Sequence, residues 1–504
     1  MAKNSNNSNT AFFGHPRGLA TLFFTEMWER FSYYGMRAIL VLFMVDAINT
    51  GGLGLDDRTA TAIYGLYTMF VYLLALPGGW LADKFMGLRN AIWYGGIIIA
   101  AGHFAMAIPT DQTFYLGLVL IVIGTGFLKP NISSIVGGLY SDDEPARRDA
   151  GFSIFYMGIN IGAFIAPIVT GWLGEGINWH YGFGLAGVGM VLGLVQYKLT
   201  ENYLGDVGLE PEKLDDPQKQ AKRESRIKTG LWGIGIALSI FIGLVMSGAI
   251  TIDPVAIADA SGVVIFALVI IYFIYVFIAE DLNKDQQKKI GVIAALFIFS
   301  AIFWSGFEQA GSSLNLFAER YTDREMFGWL MPASWLQSVN AFFIITLAPV
   351  FGWLWVWLAK RSLEPSTPVK FALGLIFLGI GFLVMMFASY YVVEGSQVLP
   401  TWLIMTYLFH TIGELCLSPV GLSAVTKLAP KKLVGQMMGI WFMSIAFGNL
   451  IAGRVAGQFD QESIQADPGL LPDLFWIIVM TTVGGGIIML LFSKPIRKLM
   501  GNVR

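Results

Sequence analysis

The chain has 504 residues, of which 55% are hydrophobic and only 13% charged, with a formal net charge of −2. Soluble domains carry about a quarter charged residues, so the composition excludes an ordinary soluble enzyme or binding module. The charge balance gives no sign of a nucleic-acid partner. The single cysteine, Cys416, rules out an intrachain disulfide and the usual multi-cysteine metal sites.

The first segment, Met1 to Asn9, is polar and rich in Asn and Ser, unlike a cleavable signal peptide; it is expected to be a disordered cytoplasmic tail. From there the apolar residues come in long blocks, such as Ile97 to Ile108, Phe114 to Phe127 and Val263 to Ala279. About 20 mostly apolar residues cross the hydrocarbon core as a helix. Spans are expected near 18–48, 57–82, 90–108, 114–139, 147–174 and 179–199. A polar stretch, Glu201 to Lys228, follows, and then two spans near 229–249 and 254–280. The last six lie near 288–318, 329–360, 368–394, 399–428, 433–457 and 470–494. This is an all-α membrane protein of fourteen expected spans, divided six, two and six. The divisions are an N-terminal six-helix bundle over 1–200, a linker with two inserted helices over 201–284, and a C-terminal six-helix bundle over 285–504.

The distribution of Lys and Arg tests that count. With the N-terminus inside, the inner segments hold nearly all of them, and the outer loops hold only Arg58, Arg320, Arg324 and Arg454. A missed or invented span would scramble the sorting. Both termini are therefore expected on the cytoplasmic side.

Three cations, Arg30, Arg37 and Lys129, fall inside expected spans, as do the acids Glu26, Glu29, Glu308 and Glu414. A charge at mid-bilayer costs about 2.5–3.5 kcal/mol on insertion scales, so it faces a partner or a wet cavity. The plain reading is a set of structural ion pairs locking the bundle; the functional reading is a site. In the first span, positions 26, 30, 33, 34 and 37 differ by three, four or seven and share one helix face, with Glu29 at its edge above Tyr33. Two carboxylates beside one guanidinium make a cluster whose charge can change by one proton, a candidate proton acceptor.

The run Glu26-x-x-Glu29-Arg30-Phe31-x-Tyr33-Tyr34-Gly35 resembles the signature of the proton-dependent oligopeptide transporter family, within the major facilitator superfamily. The resemblance extends along the chain. Gly126 to Asn131 is similar to the family's fourth-helix motif and Phe155 to Gly162 to its fifth. Phe303 to Gln309 and Gly413 to Pro419 are similar to the seventh and tenth. The stretch Gly78 to Lys84, with Arg89, resembles the superfamily's loop between helices 2 and 3, where Asp83 and the following bases can latch cytoplasmic helix ends together. The resemblance implies two six-helix bundles rocking about a midplane cavity. It implies a symporter of di- and tripeptides driven by the proton gradient, without cofactor, metal or enzymatic activity. It also implies residence in a bacterial inner membrane with no obligate protein partner.

A short peptide is a zwitterion, and the charges divide between the halves to match it. The resemblance implies that Arg37 and Lys129 meet the peptide carboxylate and Glu414 its amino terminus. Tyr33, Tyr34, Tyr72, Asn160 and Asn340 match positions offering hydroxyls or amides to the peptide backbone. Trp304 and Trp441 match positions lining side-chain pockets, and Ser418 lies one turn beyond Glu414. If Arg37 reaches Glu308 in the empty cavity, protonating Glu308 frees Arg37 for the peptide; Glu26, Glu29 and Arg30 form the second proton-sensitive element. Lys129 and Glu414 are expected to attract each other across the cavity and close a gate.

Mammalian members carry a helix-2 histidine where this chain has Gly65, so proton handling falls to carboxylates. His103, His180 and His410 are read as packing or interfacial residues, and the inserted spans as lipid-facing or bundle-flanking. The alternatives are the same fold carrying nitrate or another organic anion and, in a different class, a channel or a peptide-sensing receptor. No Walker-type loop is present, which argues against an ATP-driven pump.

Overall fold

The computed structural model describes residues 12–141, 143–326 and 328–501; the expected N-terminal tail over 1–9 lies outside them. In hydrocarbon every backbone polar group must be satisfied within the protein, which leaves helices as the means of crossing, and the described chain is built almost wholly of them. In order they are α1 Arg17–Val45, α2 Asp57–Leu73, α3 Leu88–Met106, α4 Asp111–Gly138, α5 Pro145–Gly176 and α6 Trp179–Thr200. The inserted pair is α7 Pro217–Met246 and α8 Pro254–Ala279. There follow α9 Lys284–Phe307, α10 Ser338–Lys360, α11 Thr367–Val393, α12 Thr401–Leu428, α13 Val434–Ala456 and α14 Leu470–Leu491.

Each of the fourteen expected spans thus falls on one of these helices, the second and ninth being interrupted, and twelve of the described helices are long and apolar enough to cross a membrane. The two outside that set are α1, with Arg17, Glu26, Glu29, Arg30 and Arg37, and α3, with Arg89, Asn90 and His103. Length is not what sets them apart; polarity is.

Several boundaries moved. The expected ninth span breaks at Glu308, where α9 gives way to a short 3-10 turn, Glu308–Gly311, before a second helix, Ser313–Tyr321. The start of the expected tenth, at 329, lies in the hairpin Glu325–Met326 with Trp329–Leu330, and α10 begins only at Ser338. The polar linker is half helical, because Asp216 caps α7 by accepting from the amides of Gln218 and Lys219.

Helices α1 to α6 pack among themselves, α1 on α5 and α6, and α3 on α4. The α3–α4 contact is close because both sides are glycine: a Cβ on Gly124 would lie 2.5 Å from the Gly95 carbonyl oxygen. Helices α9 to α14 form the second set, with α11 against α12 and α14, and α9 against α13. The sets meet along α2–α13 and α5–α10. Gly65 sits at the first of these seams, where a Cβ would lie 3.1 Å from the Gly453 Cα. An imidazole at that position has no room.

The α2–α3 loop corrects one expectation. Lys84 pairs with Glu212, and Arg89 donates from Nε to the Val207 carbonyl (2.8 Å) and from Nη2 to that of Gly205 (2.5 Å). The Glu212 amide donates to the Asp83 carbonyl at 2.7 Å. Lys84 and Arg89 hold the linker, and do not latch the ends of the second set. The turn at Gly87 (φ 80°) brings that linker against the loop, where any Cβ would lie 2.6 Å from the Leu209 carbonyl oxygen. Of the inserted pair, α8 packs on α2 and α13 and is tied by Asp259, which accepts from Arg454 Nε at 2.6 Å.

Candidate functional site: a charged cavity between the halves

A cavity of about 300 Å³ lies where α1, α2, α4 and α5 face α9, α10, α12 and α13. Its walls carry Glu26, Arg30, Arg37 and Lys129 from the first set and Glu308 and Glu414 from the second. Charges that the insertion cost forbids to face lipid are gathered here, as the plain burial argument requires.

Two ion-pair groups organise it. On α1, Arg30 Nε stands 3.0 Å from Glu26 Oε1 and 2.5 Å from Glu29 Oε2, all three side chains buried. Seven residues on, Arg37 Nη1 is 3.1 Å from Glu308 Oε2, a bond between the two sets of helices. Glu308 owes its position to the break after α9: the 3-10 turn rotates its carboxyl toward α1. Tyr34 covers this pair, its ring centroid 5.4 Å from the Arg37 guanidinium carbon.

Lys129 and Glu414 both line the cavity, yet they form no ion pair, contrary to the expected attraction. Each has another neighbour. Lys129 Nζ sits 3.7 Å from the centroid of the Tyr72 ring, a cation–π contact. Glu414 Oε2 accepts from Asn340 Nδ2 at 3.4 Å, and the same amide donates to Thr411 Oγ1 at 2.9 Å. Asn160 also lines the cavity, with its Nδ2 donating back to the Tyr156 carbonyl at 2.9 Å. Trp304, Trp441 and Ser418 complete the expected lining.

Tyr33 and Glu29 are placed elsewhere. Each residue turns a helix by about 100°, so Tyr34 looks into the cavity while Tyr33 looks toward α2, stacked on Tyr67 at 6.3 Å. Tyr33 also lies over Arg30, its ring centroid 5.3 Å away. Glu29 stands behind Arg30, at the edge of the face where its position in the sequence put it. The lining includes residues that sequence reasoning passed over, Tyr156, Phe307, Gln337 and Tyr407, and one that it read as a packing or interfacial residue, His410. His410 was findable, since it sits four residues before Glu414 on the same helix face.

One end of the seam is sealed. Asp57 accepts from both terminal nitrogens of Arg320 at 2.8 Å and from the Gln461 amide at 2.8 Å. Glu175 accepts from the amides of Ala333 (2.7 Å) and Ser334 (3.0 Å). Trp335 Nε1 donates to the Ile168 carbonyl and Asn315 Nδ2 to that of Ala38, both at 2.8 Å. All of these bonds cross between the sets and lie at the end that the Lys/Arg distribution puts outside. Among the described residues no hydrogen bond joins the two sets at the other end.

Two helical sets meeting around a charged central cavity, sealed at one end and unbonded at the other, define a membrane carrier of the major facilitator type. The chain belongs to the POT family, whose model (PTR2: POT family) matches residues 89–477. It is 43% identical over 503 residues to the peptide transporter YePEPT of Yersinia enterocolitica, covering 98% of this chain and 97% of that one. It is 38% identical over 511 residues to a di-/tripeptide transporter of Lactococcus lactis subsp. cremoris, covering both chains completely (100%). Among solved structures it resembles a peptide transporter POT in complex with sulfate (TM-score 0.88, 42% identity, 97% of each chain). It also resembles a POT family transporter in complex with 5-aminolevulinic acid (TM-score 0.86, 37% identity, covering 97% of this chain and 98% of that one).

Proposed function

We propose that this chain is a proton-coupled symporter that imports di- and tripeptides by alternating access, and that the structure is its inward-facing state. The observation that carries the reading is the Arg37–Glu308 pair, 3.1 Å apart across the seam. A peptide carboxylate arriving at Arg37 competes with Glu308. Protonating Glu308 removes its charge and releases the guanidinium, so proton and peptide favour the same state of the carrier, which is the physical content of coupling. Glu26, Glu29 and Arg30 form the second proton-sensitive group, Glu26 on the cavity and Glu29 behind it.

The peptide lies with its carboxylate toward Arg37 and Lys129 and its ammonium toward Glu414. Tyr34, Tyr72, Asn160 and Asn340 serve its backbone, and Trp304 and Trp441 its side chains. Tyr33 acts on Arg30 and not on the peptide. Residues 1–200 and 285–504 move as the two rocking halves, with 201–284 as an insertion that rides on them; α1 and α3 cross the bilayer like the other twelve helices. The inner end, with both termini, faces the cytoplasm across an inner membrane, and no cofactor takes part. Uptake of a labelled dipeptide into proteoliposomes with and without an inward proton gradient tests this. Gradient-driven accumulation is expected, and uptake indifferent to the gradient overturns the coupling.

A further inference from the structure

We propose that His410 is the contact for the side chain of the peptide's first residue and selects a hydroxyl there; this rests on the peptide reading of the cavity. His410, Glu414 and Ser418 succeed one another at four-residue intervals on α12, and all three line the cavity. The ring is 1% exposed; on its α11 side it reaches the Leu378 carbonyl, and no hydrogen-bond partner meets Nδ1. A buried polar atom left so is destabilising, and an occupant that completes it accounts for its place in the cavity wall.

The niche is shaped for this ring. Phe382 packs with its centroid 4.7 Å away, and Tyr407 and Phe307 stand at 6.4 and 6.5 Å. On the α11 side the space exists because residue 381 is glycine: a Cβ there would lie 2.5 Å from His410 Cδ2 and 2.7 Å from Nε2. The Cδ2–Nε2 edge therefore rests on α11, and the opposite edge, with Nδ1, is turned away from it. Trp304 extends the aromatic wall, 5.4 Å from Phe307.

Glu414 holds the ammonium in the proposed pose, and a neighbour one helical turn away stands about 5–6 Å off. In a first-residue Ser or Thr the hydroxyl oxygen is three bonds from the ammonium nitrogen, so it projects toward the next turn. A hydroxyl both donates and accepts, and so satisfies an imidazole in either tautomer. Valine, isosteric with threonine, satisfies neither.

The test uses the full chain in proteoliposomes at fixed pH, with Thr-Ala and Val-Ala competing against labelled Ala-Ala. His410→Leu is expected to weaken Thr-Ala relative to Val-Ala by about five- to tenfold, the worth of one neutral hydrogen bond. His410→Asn, which keeps a donor and an acceptor, is expected to retain most of the wild-type ratio. Gly381→Ala, which crowds the ring without removing it, is expected to move the ratio in the same direction as His410→Leu, by less. If His410→Leu yields no active carrier, the Gly381→Ala ratio decides. A Thr-Ala to Val-Ala ratio that none of the active variants changes overturns the inference while leaving the cavity a peptide site. A wild-type chain that takes up no dipeptide overturns the reading beneath it instead.

Discussion

The two buried ion-pair groups of this carrier share a helix and differ in what they join. Arg30 finds Glu26 and Glu29 on its own helix, α1, so its bonds survive any rigid movement of one half against the other. Arg37, two turns on, finds Glu308 on the opposite half, so its bond must break whenever the halves part or a peptide takes its place. On the proposed reading, identical chemistry does two jobs: a charge store that travels with the first half, and a clasp between halves. At the sealed end the bonds are of the second kind alone: Asp57–Arg320 and Glu175 with the α10 entry both join the two halves.

The largest effect is expected at the central clasp. Arg37→Ala strands Glu308, and breaking a buried pair on one side costs about 3–5 kcal/mol, so both gradient-driven uptake and gradient-free exchange of dipeptide are expected to vanish. Exchange that survives Arg37→Ala would show that the clasp is not part of the site. The local cluster should behave differently. Glu29→Gln or Arg30→Ala is expected to abolish accumulation against a gradient while sparing some exchange, because exchange needs the site and the rocking motion but no net proton movement. If both variants still accumulate peptide uphill, the distinction between store and clasp collapses.

A smaller and more selective effect is expected at Glu414, which has no cross-half partner and in the proposed pose meets the peptide ammonium. Glu414→Gln should weaken purified-protein binding of free dipeptides, but not of N-acetylated ones, by about ten- to a hundredfold, since charged hydrogen bonds are worth about 1.5–3 kcal/mol. Lys129→Gln should give the mirror pattern with C-terminally amidated peptides. Equal weakening of free and acetylated peptides would assign Glu414 to structure instead.

The smallest effect lies outside the bilayer. His15 Nδ1 is 2.9 Å from the Tyr140 hydroxyl, tying the chain before α1 to the α4–α5 loop. Burial, and then the charge of Arg147, hold this histidine below its ordinary pKa of 6.5. The folded state thus binds the proton less readily than the unfolded one. The contact is at full strength above the ordinary histidine range and weakens as pH falls through it. Hydrogen exchange at residues 12–15 and 139–141, corrected for intrinsic rate, is expected to speed up modestly between pH 7.5 and 5.5. A pH response unchanged in His15→Gln would place the sensitivity elsewhere.

The chain's own letters went far with the fold because a bilayer leaves few choices. The blocks of apolar residues, and Lys and Arg sorted to one side, were enough to place its long helices along the chain. The charges inside spans located the cavity, since no lipid-facing position tolerates them. Distance along one helix was also legible, as in the shared face of Glu26, Arg30, Tyr34 and Arg37. Side chains one position apart were harder: Tyr33 and Tyr34 read alike, and only the packing of Tyr67 against one of them separates cavity from core. The α9 break at Glu308 and the start of α10 were misplaced because both are marked by 3-10 turns, which differ from α-helix in their hydrogen bonds and not in a composition the sequence displays.

What the sequence by itself determined is the class of protein, the order of its long helices and the identity of its buried charges. Those follow from local composition against a fixed solvent, the bilayer. What only the tertiary structure decided is the pairing. Arg37 meets Glu308, while Lys129 rests on Tyr72 and Glu414 on Asn340. Lys84 and Arg89 grip the linker, and Gly65 closes on Gly453. Each of these depends on how far apart two helices distant in the chain come to lie. That separation is set by the summed packing of many side chains, so no single motif contains it.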